Sequence, residues 1–228
     1  MSFFSISTIA EFLCLVSAFL FLRKADGKFS LFLPYIGGIF FFEFLGWYIN
    51  EILGLSNGLV FNIVILFTIL FFLYQLSPNN TMWSFFNEKR NLISIFLIVT
   101  FWAINLIFGQ GVTIFNHYSL LAGSIIMLVL CLSQSNLLLH SNMNERLLRK
   151  PEFWVFVSCM FYFSGMIFSL LFHNTLTVFY YKTGWHVSQY LLHGINILHY
   201  GCLAIAFYFV MIIRKNISNT ITENGRGI

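Results

Sequence analysis

Charged residues are scarce in this 228-residue chain and make up 9% of it, whereas soluble domains carry about 25%. Hydrophobic residues supply 59%, and the mean hydropathy is +0.84. A soluble fold of this length has no interior large enough for so much apolar surface. The 12 lysines and arginines form no basic patch interleaved with aromatic residues, so nucleic-acid binding is not expected either.

Complete catalytic and metal-binding motifs are missing as well. Asp26 is the only aspartate, and no His-x-x-x-His pair occurs, which differs from the pattern of alkaline-ceramidase-like zinc hydrolases. Ser188 lacks the surrounding glycines of a nucleophile elbow. We therefore expect no cofactor and no metal. Free thiols are expected instead of disulfides, because all four cysteines lie in apolar segments: Cys14, Cys131, Cys159 and Cys202.

Apolar segments of about the ~20 residues that cross a bilayer occupy almost the whole chain. They lack the period-2 alternation of barrel strands, so they are predicted to be helices. The sequence therefore predicts an all-α polytopic transmembrane bundle of seven helices. The segments run from Phe3 to Leu22, Ser30 to Leu53, Leu59 to Leu76, Leu92 to Phe108, Phe115 to Leu137, Phe153 to Phe172 and Val187 to Ile213.

Basic residues collect in every second gap between these segments, and the alternate gaps hold only Lys182. The positive-inside rule then places the N-terminus outside and the C-terminus inside. Residues 1–215 are predicted to form the transmembrane domain, and 216–228 a disordered cytoplasmic tail. The basic gaps contain Arg23, Lys24 and Lys28, then Lys89 and Arg90, then Arg146, Arg149 and Lys150, and finally Arg214, Lys215 and Arg226.

Polar side chains inside the segments define the candidate site, because each is costly in a bilayer. Glu11 and Glu43 fall near the middle of the first and second segments, and no lysine or arginine lies in any segment to pair with them. In the second segment Glu43, Gly46 and Asn50 share a stripe. In the seventh segment a further stripe has spacings of three, four and three residues, with His199 on a neighbouring face. That stripe is formed by His186, Gln189, His193 and Asn196.

The predicted topology places most of these polar residues in the outer part of the membrane, together with Asn62, Asn105 and His117. One interpretation is a polar, ligand-binding pocket that is open to the outside, with Glu11, Glu43 and His199 near its floor. In this arrangement Glu43 would accept a hydrogen bond from His199 or Asn196. The alternative is a set of interhelical hydrogen bonds, worth about 0.6–2 kcal/mol each, that merely hold the bundle together.

Two activities of other seven-helix proteins do not fit. A retinal-binding protein needs a Schiff-base lysine in the seventh helix, and that helix has none. A channel needs a polar stripe that continues to the inner side, where these segments are apolar. The sequence therefore does not predict a photopigment or a channel.

Several soft motifs resemble a family of uncharacterised seven-helix membrane proteins of Bacteroidetes, whose genes often neighbour two-component sensor kinases. The matching positions are Glu43-x-x-Gly46, Lys150-Pro151-Glu152-Phe153-Trp154, Tyr162-Phe163-Ser164-Gly165 and Asn196. The resemblance implies a signalling or accessory role in the plasma (inner) membrane of a bacterium, and it supplies no catalytic residues.

Two functional hypotheses follow. The first is a membrane sensor or accessory protein that binds a small or lipid-like ligand in the outer pocket and signals to a partner. The second is an intramembrane lipid-modifying enzyme that uses Glu43 or Glu11 as a base with His193 or His199. The expected partners are membrane lipids, with a sensor kinase, another membrane protein or a second copy of the chain as further candidates.

Overall fold

Eight α-helices and no strand make up the part of the chain that this computed structural model describes, which is residues 5–77, 88–109, 111, 114–141 and 147–224. We number the helices α1 to α8. Short π-helical turns, Tyr48–Ile52 and Asn105–Gly109, extend α2 and α4. The helices are α1 Ile6–Leu22, α2 Phe32–Trp47, α3 Gly58–Leu76, α4 Lys89–Ile104, α5 His117–Ser141, α6 Pro151–Leu171, α7 His173–Thr183 and α8 Val187–Asn224.

Within the described residues, six helical stretches are long and apolar enough to cross a membrane, so the chain has the architecture of an integral membrane protein. The 17 residues of α1 are equally apolar but shorter, and correspond to about 25 Å of helix against a hydrocarbon core of about 30 Å. The six stretches are Gly27–Ile52, Gly58–Leu76, Asn91–Gly109, His117–Ser135, Pro151–Leu171 and Val187–Asn216.

Local sequence signals explain where several helices begin and end. The Ser5 hydroxyl accepts a hydrogen bond from the Thr8 amide at 3.2 Å and so caps the start of α1. Pro151 is the first residue of α6, where its missing N–H leaves no bond unmade. Gly184 ends α7 with a φ of 72°, a left-handed conformation that glycine adopts without strain.

Contacts between neighbouring helices show that the direction of the helices alternates along the chain, apart from the short α7. Phe12 of α1 packs on Phe40 of α2, and the Ser158 and His199 side chains join antiparallel α6 and α8. The pairs Ser7–His193 and Phe21–Tyr208 show that α1 and α8 run in parallel. One end of the bundle, which we call the basic end, therefore carries Arg23, Lys24, Lys28, Lys89, Arg149, Lys150, Arg214 and Lys215.

The structure differs from the predicted elements in two places. The gap before the last predicted segment contains α7, an 11-residue helix that is too polar to be predicted as a membrane span and whose residues are largely exposed. The last helix continues past Lys215 to Asn224, so the predicted disordered tail is helical up to that residue. No glycine or proline occurs between Cys202 and Asn224 to end this helix earlier, and residues 225–228 lie outside the described part.

Aromatic packing fills the half of the bundle towards the basic end. The Phe32 ring contacts Phe71, Phe72 and Phe207, with ring centroids 5.1 to 6.4 Å apart. Tyr35 stacks on Phe71 at 3.8 Å. Phe32, Phe72 and Phe207 are fully buried, so this layer joins α2, α3 and α8.

Gly165 of α6 gives a direct test of this packing. A Cβ at this position would lie 2.5 Å from both Cδ1 and Cγ1 of Ile195 on α8. We expect Gly165→Ala to lower the free energy of unfolding by about 1–3 kcal/mol, measured by denaturant titration in detergent micelles. Gly194→Ala is the matched control, because nothing lies within 4 Å of a Cβ there. Equal loss of stability in both variants would contradict the packing of α6 on α8.

Candidate functional site

Two carboxyl groups meet inside the bundle at the contact between α1 and α2. Glu11 of α1 is 1% exposed, and Glu43 of α2 is half-buried. Their side chains lie within hydrogen-bonding contact of each other. Neither oxygen of Glu11 receives a hydrogen bond from a donor group among the described residues. We call Glu11 and Glu43 the carboxyl pair.

Neutral side chains surround the carboxyl pair. Tyr162 of α6 and Tyr200 of α8 lie within electrostatic range of both carboxyl groups. Tyr35 of α2 lies within range of Glu11 and contacts the Thr68 hydroxyl at 3.4 Å. Cys14 is the neighbour of Glu11 on α1. Four helices thus converge on a pair of acids whose described neighbours carry hydroxyl and thiol groups and no positive charge.

His199 of α8 lies in a buried layer next to the tyrosines. Its Nδ1 is 2.7 Å from the Ser158 hydroxyl of α6, and the same hydroxyl donates to the His199 backbone carbonyl at 2.9 Å. The imidazole ring packs between Tyr162 and Phe72, with centroids 4.7 and 5.6 Å away. The hydroxyl of Ser158 donates its single proton to the carbonyl, and its oxygen can then accept a hydrogen bond from Nδ1–H of His199. These two hydrogen bonds hold α6 against α8.

The rim of the site lies at the end opposite the basic end. His193 of α8 contacts the Ser7 hydroxyl of α1 through Nδ1 at 3.0 Å. Gln189 and Asn196 are half-buried on the same helix. The predicted stripe of α8 is therefore partly turned towards α1, whereas its first member, His186, is exposed and stacks on Tyr180 of α7 at 4.2 Å.

The partner of Glu43 differs from the one that we predicted. The group opposite Glu43 is Glu11, and the Nδ1 of His199 bonds to Ser158 instead. The residues of the predicted stripe of α2 also lie in different surroundings. Gly46 packs against the Phe61 ring of α3, which a Cβ would meet at 3.1 Å, and Asn50 is exposed. The π-helical turn that begins at Tyr48 changes the helical register there, so a 3.6-residue period does not extend to Asn50.

A second polar cluster, which we call the asparagine network, joins α3, α4 and α5. Asn62 donates to the Ile114 carbonyl at 2.9 Å and accepts from the Asn116 amide at 2.8 Å. Asn105 donates to the side chain of Asn116. Sequence analysis missed Asn116, which precedes α5 and is 1% exposed. Because these amides bond to one another and to backbone, the network accounts for Asn62 and Asn105 as structural residues.

His117 lies beside this network but does not join it through a described hydrogen bond. The imidazole is half-buried and contacts the rings of Phe115 and His173 at 4.8 and 5.9 Å. The predicted residues thus fall into three places: the carboxyl pair with the facing side of α8, the asparagine network, and the exposed surface.

A pocket between α3, α4 and α5 is apolar and has a volume of about 230 Å³. None of the predicted site residues lines it. Trp102 and Ser119 form its polar edge next to the asparagine network, and Ile69, Ile98 and Gly123 form part of its wall. This apolar pocket is therefore not the polar pocket that the sequence predicts.

Among the described residues, the buried side-chain atoms without a hydrogen-bond partner are both oxygens of Glu11, the Ser124 hydroxyl and one nitrogen of Arg214, and Glu11 is the only carboxyl group among them. Among the described residues, no group of three or more histidine, cysteine, aspartate or glutamate side chains is placed to hold a metal ion. Two carboxylates can hold a cation between them or share a proton. We therefore take the carboxyl pair, with Tyr162, Tyr200, His193 and Ser7 around it, as the candidate site.

Comparison of this chain with known protein families, with curated proteins and with solved structures finds no match. The resemblance to the seven-helix proteins of Bacteroidetes stays a prediction. Functional reasoning therefore depends on the geometry of the site.

Proposed function

We propose that this protein is a membrane sensor or accessory subunit that responds to a small or lipid-like ligand at the carboxyl pair and passes the response to a partner protein. The observation that carries the proposal is the burial of Glu11 with no hydrogen-bond donor for either carboxylate oxygen in the part of the chain that the structure describes. A state in which such an unpaired acceptor gains a hydrogen-bond donor is favoured over a state in which it has none. A ligand that binds there therefore selects one helix arrangement over another.

Helix α8 offers a path from this site to the basic end. It begins near the rim, contacts α1 through His193, and carries Tyr200 beside the carboxyl pair. Its 38 residues correspond to about 57 Å, which exceeds a hydrocarbon core of about 30 Å. A shift of α1 against α8 at the site would therefore move a helix end that projects beyond the membrane, where a partner such as a sensor kinase can contact it.

A catalytic role has weaker support. Neither His193 nor His199 is bonded to a carboxyl group in the described contacts, since they pair with Ser7 and Ser158. The Ser158–His199 pair resembles a nucleophile with its base. However, Ser158 and His199 are only 0% and 3% exposed, and the hydroxyl proton has a backbone carbonyl as its acceptor. A substrate would have no route to this serine without separating α6 from α8.

We further propose that α1 crosses the membrane as a seventh span, that the N-terminus lies outside, and that the basic end faces the inside of a bacterial plasma membrane. Helix α1 packs against α2 and α8 through Phe12–Phe40 and Phe21–Tyr208, so it lies within the bundle. The alternating helix directions bring the basic residues to one end, as the positive-inside rule requires of a cytoplasmic face.

This orientation predicts how introduced cysteines react in intact cells. A Cys at Lys182, in α7, should react with a membrane-impermeant maleimide added outside. A Cys at Arg149, before α6, should react only after permeabilisation. The native cysteines give little background, because all four are buried. Labelling of position 149 from outside, with position 182 protected, would contradict the proposed orientation and indicate the opposite one.

The sensory role predicts ligand binding that depends on Glu43. Wild-type protein in nanodiscs is exposed to the total lipid and small-molecule extract of its source membrane, and bound species are counted by native mass spectrometry. We expect at least a roughly tenfold loss of occupancy in Glu43→Gln, equivalent to about 1.4 kcal/mol. The matched control is Glu51→Gln, because Glu51 is an exposed acid just beyond the end of α2.

Transmission is measured in the same samples. Spin labels on Lys24→Cys and Lys215→Cys report the distance between the α1 and α8 ends at the basic end. We expect this distance to change when the extract is added to wild type but not to Glu43→Gln. Binding without a change in distance would contradict a sensor. Conversion of a lipid in the extract, abolished by Glu43→Gln in folded protein, would establish the enzyme instead.

A further inference from the structure

The carboxyl pair cannot satisfy its own hydrogen bonding when both groups are ionised. An ionised carboxylate only accepts hydrogen bonds. Both oxygens of Glu11 are buried without a donor from the described residues, and the group that faces them is the carboxyl of Glu43. Two acceptors in contact form a hydrogen bond only if a hydrogen lies between them.

No group around the pair supplies a compensating positive charge among the described contacts. The titratable groups that face it are Cys14 on α1, Tyr35 on α2, Tyr162 on α6 and Tyr200 on α8, all of which are neutral when protonated. Helix α3 contributes Thr68 and Phe72 nearby, and neither titrates. The histidines of α8, His193 and His199, are engaged with Ser7 and Ser158.

One shared proton resolves this arrangement. It converts a repulsive contact between two anions into an O–H···O⁻ hydrogen bond, which belongs to the short and strong class because one partner is charged. It also lowers the charge of the pair from −2 to −1 in surroundings where each buried charge is costly. An alkali cation would need several oxygen ligands around it, whereas a proton needs only the two oxygens that meet here.

We propose that Glu11 and Glu43 form a proton-binding site, in which one proton is shared between the two carboxyl groups and its release separates α1 from α2 at the end opposite the basic end. The proton leaves to solvent through Glu43, the less enclosed group, and the pair changes from one negative charge to two. This inference rests on the proposed sensory role in one respect, because it names the proton as the stimulus to which the sensor responds.

Infrared spectroscopy of glutamate labelled with ¹³C detects the shared proton directly. Wild-type protein in nanodiscs at neutral pH should show the C=O band of a protonated carboxylic acid, shifted by H/D exchange. The band should disappear in Glu11→Gln and in Glu43→Gln, because the new amide N–H donates to the remaining carboxylate. It should persist in Glu51→Gln, whose acid is exposed. Circular dichroism and size-exclusion profiles identify variants that remain folded.

The separation of α1 from α2 is measured with spin labels on Ile6→Cys and Leu53→Cys, whose native side chains are 60% and 51% exposed. We expect the distance between the labels to increase when the pH is raised on wild type, and to stay constant in the double variant with glutamine at positions 11 and 43. A distance that is independent of pH in wild type would overturn the proposed movement.

Two further outcomes determine whether a proton or another ion occupies the carboxyl pair. Absence of the protonated band from folded wild-type protein at neutral pH would overturn the proton site. A carboxylate band that shifts when sodium replaces choline would also overturn it, in favour of an alkali ion. The proposed function fails separately: if the band is present while the distance between positions 24 and 215 never responds, the proton site stands without a sensory role.

Discussion

Inside hydrocarbon a protein has no water with which to satisfy its polar groups, and this constraint acts on every polar group in the membrane-crossing helices. The backbone meets it by forming helices. The asparagine network meets it with side chains that bond to one another and to backbone groups such as the Ile114 carbonyl. The Ser158–His199 contact meets it by locking α6 to α8. The carboxyl pair differs from these contacts, because Glu11 is an enclosed acid whose oxygens receive no hydrogen bond from the described residues.

The distinction between polar residues that hold the bundle together and polar residues that respond to a stimulus follows from the same constraint. A satisfied network has no reason to rearrange, since any change leaves a buried group without its partner. In the proposed proton site the carboxyl pair has two states of different charge, and two unit charges about 4 Å apart repel by about 4 kcal/mol at an effective dielectric of 20. That energy is large enough to shift an equilibrium between two helix arrangements. The pair joins α1 to α2, and Tyr200 places α8 beside it.

Apolar runs and basic residues predicted most of the helices, because burial in a bilayer demands long uninterrupted segments. Gly46 of the predicted α2 stripe packs against the Phe61 ring of α3. Periodicity assigns a face but does not identify the helix that the face meets, and for that reason the pairing of Glu43 with Glu11 was missed. The π-helical turn at Tyr48 has no sequence signature and moved Asn50 off the predicted stripe. Helix α7 was missed because it is polar and exposed.

The central claim is that Glu11 and Glu43 act as one unit, and a double-mutant cycle measures this most directly. Free energies of unfolding in micelles are compared for wild type, Glu11→Ala, Glu43→Ala and the double variant. If the groups share a hydrogen, each single change leaves the other carboxyl without its partner and costs about 1–3 kcal/mol. The account then predicts that the double variant loses little more than one single variant. Losses that add to within about 0.5 kcal/mol, as for independent sites, would contradict it.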